Sequence, residues 1–183
     1  HNIKEYSLEA LMEQTSMVFQ NVYLFQDSIE NNIKFGKPDA AHEDVVEAAK
    51  KACCHDFIMS LPEKYETLIG EGGANLSGGE RQRISIARAM IKNAPIVIFD
   101  EATANIDPEN EDKLRIAIEE LTKNKTVIVI AHRLKTIKNA NQILVLDNGK
   151  ITQRGAHEDL IKTDGIYKNF IEARQMAVGW KLS

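Results

Sequence analysis

Two four-residue runs, Ile96-Val97-Ile98-Phe99 and Val127-Ile128-Val129-Ile130, contain no polar side chain. A strand with one wet face alternates polar and apolar residues. Unbroken β-branched runs instead mark strands buried on both faces of a mostly parallel sheet. Between them, residues 108–122 carry Leu114, Ile118 and Leu121 at helical spacing, with Asp107 placed as N-cap and Pro108 at the first helical position. Strand, helix and strand in that order predict an α/β fold. Residues 142–146 and 150–153 flank Asp147-Asn148-Gly149. Asn-Gly suits the positive φ angles of a type I′ turn, so this stretch reads as an antiparallel hairpin near the sheet.

The pattern changes between residues 27 and 61, where helical periodicity recurs over 28–35, 43–53 and 55–61 with hardly any strand signal. This is a helical insertion, closed by Pro62. A further helix over 77–92 leads back to the sheet through Asn93-Ala94-Pro95, and helices near 157–163 and 166–176 are placed over a sheet edge. Cys53 and Cys54 are adjacent in a helical pattern, lack the geometry of an ordinary disulfide and are expected as buried thiols in a reducing compartment. With 183 residues, 43% hydrophobic and 27% charged, the chain has the material for a packed core. Its net charge of −4 argues against nucleic acid as a partner. Apolar runs reach about five residues where a membrane-spanning helix needs roughly 20, so no span is expected. The start, His1-Asn2-Ile3, has neither an initiator Met nor a signal-peptide pattern and reads like the interior of a longer protein.

Five of the 10 glycines fall between positions 70 and 79, and a helix begins at once after them. Ser77 with the amides of Gly78 and Gly79 then forms an open helix N-terminus, which suits a phosphate. On composition alone a flexible loop accounts for these glycines equally well. The run ending in Phe99-Asp100-Glu101 places two carboxylates where a buried strand emerges, the edge at which parallel sheets bind ligands. Successive strand side chains point opposite ways, so Asp100 is free to face a Mg²⁺ shell and Glu101 a water. Ala131-His132-Arg133 brings an imidazole to the same edge. Three polar groups at one edge favour a phosphate site over an ordinary hydrogen-bonded histidine and a solvated acid pair.

Leu76-Ser77-Gly78-Gly79-Glu80-Arg81-Gln82-Arg83, Asp100-Glu101-Ala102-Thr103, Ala131-His132-Arg133 and the upstream Val18-Phe19-Gln20 together resemble the nucleotide-binding domain of ABC transporters. Phe25-Gln26-Asp27-Ser28-Ile29 and Gly70-Glu71-Gly72-Gly73 are similar to the exporter branch. The resemblance implies a P-loop NTPase core with an α-helical signature subdomain, incomplete in these residues. It divides the chain into 1–21, core up to the Q-loop; 22–92, the helical subdomain with the signature; and 93–183, core with Walker B, D-loop, H-switch and C-terminal helices. It further implies ATP and Mg²⁺, with Gln20 as the Q-loop glutamine near metal and water. By the same likeness Asp100 is the Walker B metal ligand, Glu101 the catalytic base and His132 the switch histidine at the γ-phosphate. Ser77, Gly78, Gly79 and Glu80 would close over the ATP of the opposite subunit, and Asp107 falls at the D-loop aspartate. The implied partners are a second nucleotide-binding domain, in a homo- or heterodimer, and the coupling helices of a transmembrane domain near Tyr23 to Phe25. The implied place is the cytoplasmic face of a membrane.

Three departures stand out. Glu80 replaces the commoner Gln, and Ala104-Asn105-Ile106-Asp107 replaces Ser-Ala-Leu-Asp. No GxxxxGK followed by Ser or Thr occurs in the 183 residues, so within them nothing supplies the backbone nest and lysine that hold β- and γ-phosphates. The expected function is the C-terminal part of an exporter ATPase domain, inactive by itself. One alternative is an ABC ATPase of the DNA-repair or structural-maintenance type, whose signature is set apart by coiled-coil arms; no sustained heptads occur here. Another is a silent interaction module, against which the presence of both Glu101 and His132 speaks.

Overall fold

The computed structural model describes residues 2–73, 75–100, 108–130 and 137–179, with only the backbone at 108–110 and 175–179. The chain divides into two compact units, His1–Ile130 and Ala131–Ser183.

In the first unit, helix α1 (Leu8–Glu13) leads into strand β1 (Thr15–Phe19). Four helices follow: α2 (Ile29–Lys34), α3 (His42–Lys51), α4 (His55–Ser60) and α5 (Gly78–Lys92). Then come β2 (Ile96–Asp100), α6 (Pro108–Thr122) and β3 (Thr126–Ile130). The strands form a parallel sheet in the order β1-β2-β3, each crossover being helical as parallel pairing requires. This α/β arrangement agrees with the fold expected from the sequence.

Local chemistry sets the helix ends. Ser28 Oγ accepts from Asn31 N at 3.1 Å and caps α2. Asn93, at φ 54°, ends α5 in the left-handed conformation that Asn tolerates. The end of α2 lies against α5 because Gly36 has no side chain: a Cβ there would meet the Arg88 carbonyl at 2.1 Å. Helices and sheet share one core, in which Ile33, Val45, Ile58, Ile84 and Val97 are fully buried. Truncating such an isoleucine to Ala costs roughly 2–5 kcal/mol.

The two apolar runs differ from each other. In β2, Val97 and Phe99 are buried as expected, whereas β3 is the sheet edge and Val127 to Ile130 are 39–49% exposed. The expectation of burial on both faces therefore holds poorly for β3, because among the described residues no strand lies beyond it. One further expectation is corrected. The helix read over 43–53 stops at Lys51, and Cys53 lies beyond it at φ 53°, half-buried, while Cys54 is buried.

The second unit contains a hairpin of β4 (Ile143–Asp147) and β5 (Lys150–Gly155), then α7 (His157–Leu160) and α8 (Ile166–Gly179). Asn148 and Gly149 take φ of 47° and 74°, the signs a type I′ turn demands. Ile143, Leu160, Tyr167 and Ile171 form its core, so the helices cover the hairpin. Among the described residues no helix is long and apolar enough to cross a membrane.

Candidate functional site

The parallel register sets the site's edge. Phe19 pairs with Asp100, and Asp100 with Ile130, so all three strands end level and point their C-termini the same way. Gln20 follows β1 at this edge and is exposed; Asp100 closes β2 and is half-buried. Glu101, Asp107 and His132 lie outside the described residues. Among the described residues no group of three or more His, Cys, Asp or Glu is placed to hold a metal ion by itself. A single carboxylate at a strand end fits Mg²⁺, which keeps several waters and takes one or two carboxylates plus phosphate oxygens.

The glycine-rich segment ends in a built helix N-terminus. Ser77 Oγ accepts from Glu80 N at 3.3 Å, and Glu80 Oε2 accepts from Ser77 N at 2.8 Å, a reciprocal capping box. Arg81 Nη1 donates to the carbonyls of Leu76 at 2.6 Å and Gly73 at 3.3 Å, pinning the preceding loop. The amides of Gly78 and Gly79 head the 15-residue α5, where intrahelical acceptors are absent. A Cβ placed on Gly78 would find only an Arg81 nitrogen, at 4.0 Å, so the tip is open to an approaching anion. Ser77 and Gly78 are exposed, Glu80 half-buried and Gly79 buried. The tip thus has the donors a phosphate needs, and the flexible-loop reading of these glycines does not hold at 77–79.

Helix α5 also touches the sheet edge directly: Gln82, 5% exposed, donates through Nε2 to the Phe19 carbonyl at 3.4 Å. A second polar cluster escaped the sequence reading. Asn32, buried in the apolar stripe of α2, accepts at Oδ1 from Phe25 N and Arg88 Nη2, both at 2.9 Å, and donates through Nδ2 to the carbonyls of Phe25 and Ser28. Arg88 Nε and Nη1 donate to the carbonyls of Asn32 at 2.8 Å and Tyr23 at 3.2 Å. An Asn and an Arg at helix positions otherwise lined by Ile and Ala were the available signal.

A family model described as ABC transporter matches residues 1–104. The chain belongs to the ABC transporter family. The ATP-dependent lipid A-core flippase of Syntrophus aciditrophicus (strain SB) is 52% identical over 167 residues, covering 91% of this chain and 28% of that protein. For the flippase of Legionella pneumophila (strain Paris) the figures are 48% over 173 residues, 94% and 29%. A structure of a bacterial Atm1-family ABC exporter with ATP bound superposes with a TM-score of 0.82 at 42% identity, covering 94% of this chain and 30% of that one. The chain spans under a third of the length of these relatives.

Proposed function

We propose that these residues are the C-terminal part of the ATPase region of an ABC exporter, coupling MgATP hydrolysis at a head-to-tail dimer interface to transport across a membrane. The observation that carries the reading is the open, capped N-terminus of α5 at Ser77-Gly78-Gly79, in a chain whose parallel strands bring Gln20 and Asp100 to one edge. Identity of 42–52% to exporters over more than nine-tenths of the chain supports it.

In this reading the boundaries 1–21, 22–92 and 93–183 separate core, signature subdomain and core. The Gly78 and Gly79 amides and the Ser77 hydroxyl donate to the terminal phosphate of a nucleotide held by the opposite subunit. That tip, with its N–H and O–H donors and the positive end of the helix dipole, stabilises negative charge where it develops. Glu80 acts through the cap: its carboxylate holds the Ser77 amide and so fixes the hydroxyl's direction. Asp100 and Gln20 would hold Mg²⁺, which when bound would neutralise phosphate charge. Glu101 accepts the proton of the attacking water, His132 donates to the γ-phosphate, and Asp107 contacts the partner domain. Tyr23 to Phe25 lie against coupling helices of the transmembrane domain, on the cytoplasmic side. The experiment that tests the reading is phosphate release from MgATP by the longer protein, with the wild-type chain and with Glu101→Gln.

A further inference from the structure

Arg81, in the first turn of α5, turns its side chain back over the loop that precedes the helix. Its Nη1 donates to the Leu76 carbonyl at 2.6 Å and to the Gly73 carbonyl at 3.3 Å, while the neighbouring Glu80 Oε2 accepts from Ser77 N at 2.8 Å. The Leu76 carbonyl and the Ser77 N–H belong to one peptide unit. That unit is planar and its C=O and N–H point opposite ways, so a cation holds one edge of the plane and an anion the other. Held at both edges, the plane resists rotation. The Ser77 hydroxyl and the helix tip therefore leave it in one direction.

The loop is shaped to admit the arginine. Gly73 is buried at φ 82°, in the left-handed region, and a Cβ on it would lie 2.5 Å from Arg81 Cδ and 3.0 Å from Cγ. The stem of Arg81 fills the space that a side chain at position 73 would take. Leu76 N donates to the Gly73 carbonyl at 2.9 Å, so the guanidinium braces a turn that is already closed. The other end of the loop is held without it: Asn75 Oδ1 accepts from Gly70 N and its Nδ2 donates to the Leu68 carbonyl, both at 3.1 Å. Arg81 thus serves the residues that lead directly into the tip.

We propose that Arg81 is a positioning residue for phosphoryl transfer: by holding the Leu76–Ser77 peptide against the pull of Glu80, it presets the Ser77 hydroxyl and the Gly78 and Gly79 amides to the geometry that the transition state needs. This deepens the ATPase reading and rests on it. Arg81 acts through the tip, not on the nucleotide. Donors aligned beforehand need no reorganisation as charge develops, so the effect falls on turnover and not on nucleotide affinity.

The test is steady-state phosphate release from MgATP by the longer protein. Arg81→Met is expected to lower kcat roughly tenfold, with KM for ATP changing by less than about twofold. Arg81→Lys keeps the charge but its shorter stem stops a bond short of the two carbonyls, so most of the loss is expected to remain. Gly73→Ala displaces the Arg81 stem without removing its charge and is expected to lower kcat in the same way; if it fails to fold, Arg81→Lys decides. Wild-type turnover in Arg81→Lys would assign the effect to charge alone, and a raised KM at unchanged kcat would assign it to binding. Either result overturns the proposal. A second measurement uses no nucleotide: the ¹⁵N heteronuclear NOE of the chain is expected to fall at Gly73, Leu76 and Ser77 in Arg81→Met and to hold at Gly70, whose amide Asn75 keeps. Unchanged values at all of these positions overturn the clamp. A wild-type protein that releases no phosphate while the NOE falls as expected defeats the ATPase reading and leaves the clamp standing.

Discussion

Gln82 donates to the Phe19 carbonyl at 3.4 Å, tying the helix that starts at Ser77 to the strand end that precedes Gln20. The bond is long, but the Gln82 side chain that makes it is only 5% exposed. A Gln82→Leu variant is expected to lose about 1 kcal/mol in urea unfolding. In the longer protein it should lower phosphate release more than nucleotide affinity, because it loosens the link between two halves of the site. A variant as stable and as active as wild type would mean that the link is incidental.

Glu30 sits 8% exposed in the first turn of α2, with Lys34 Nζ at 2.8 Å and His42 Nδ1 at 2.6 Å. Burial pushes its carboxyl up, but hydrogen bonds and charge from Lys34 and His42 outweigh that and hold it below the usual carboxylate range. The folded value is the lower one, so the stabilisation is present above the unfolded carboxylate value and is lost as pH falls through the folded value. Glu30→Gln should therefore cost roughly 1–2 kcal/mol at neutral pH and nothing once acid has protonated the wild-type carboxyl. Denaturant melts at several pH values check this, and a penalty that persists in acid would assign it to packing alone.

The two cysteines should be chemically unequal. Burial pushes the Cys54 thiol up to about 12, while Cys53 is half-buried. With Ellman's reagent the native chain is expected to release about one equivalent quickly, and both in denaturant, since thiolate and access govern the reaction. Cys53→Ser should abolish the fast phase. Two equally fast thiols would contradict the burial of Cys54.

Strand β3 leaves four β-branched residues half in water at a sheet edge, without charge or proline to protect them. Such an edge pairs readily with another strand. The 183-residue chain is expected to self-associate as its concentration rises, in light scattering, with β3 amides exchanging faster than those of α5 when dilute. Ile128→Lys should suppress the association. A monomer at all concentrations with β3 protected like α5 would show the edge to be closed.

How far the sequence spoke depended on pattern length. Helices α5 and α6 carry 15 residues each, enough periodicity to place them, and Ser77 announced its own cap. Strand β2 was legible because Ile96 to Phe99 has no polar member. Strand β1 was not: Thr15-Ser16-Met17-Val18-Phe19 puts a buried Ser16 on the inner face and exposed Met17 and Phe19 on the other, inverting the usual alternation. The Asn32–Arg88 cluster was not legible, because the two residues meet across 56 positions of chain. Gln20, Ser77 and Asp100 were each named from motifs, and the motif alone could not say that Glu80 would spend its carboxylate on the cap. Glu101, Asp107 and His132 rest on the sequence.

The central claim is that the edge formed by β1 and β2 serves ATP hydrolysis, with Glu101, next after Asp100, taking the proton from water. The most direct measurement is steady-state phosphate release from MgATP by the purified longer protein, wild type against Glu101→Gln, with nucleotide binding measured on the same samples. The amide keeps the shape but cannot accept a proton, so turnover should fall by roughly 10²-fold or more while ATP binding persists. Unchanged phosphate release in Glu101→Gln would contradict the account.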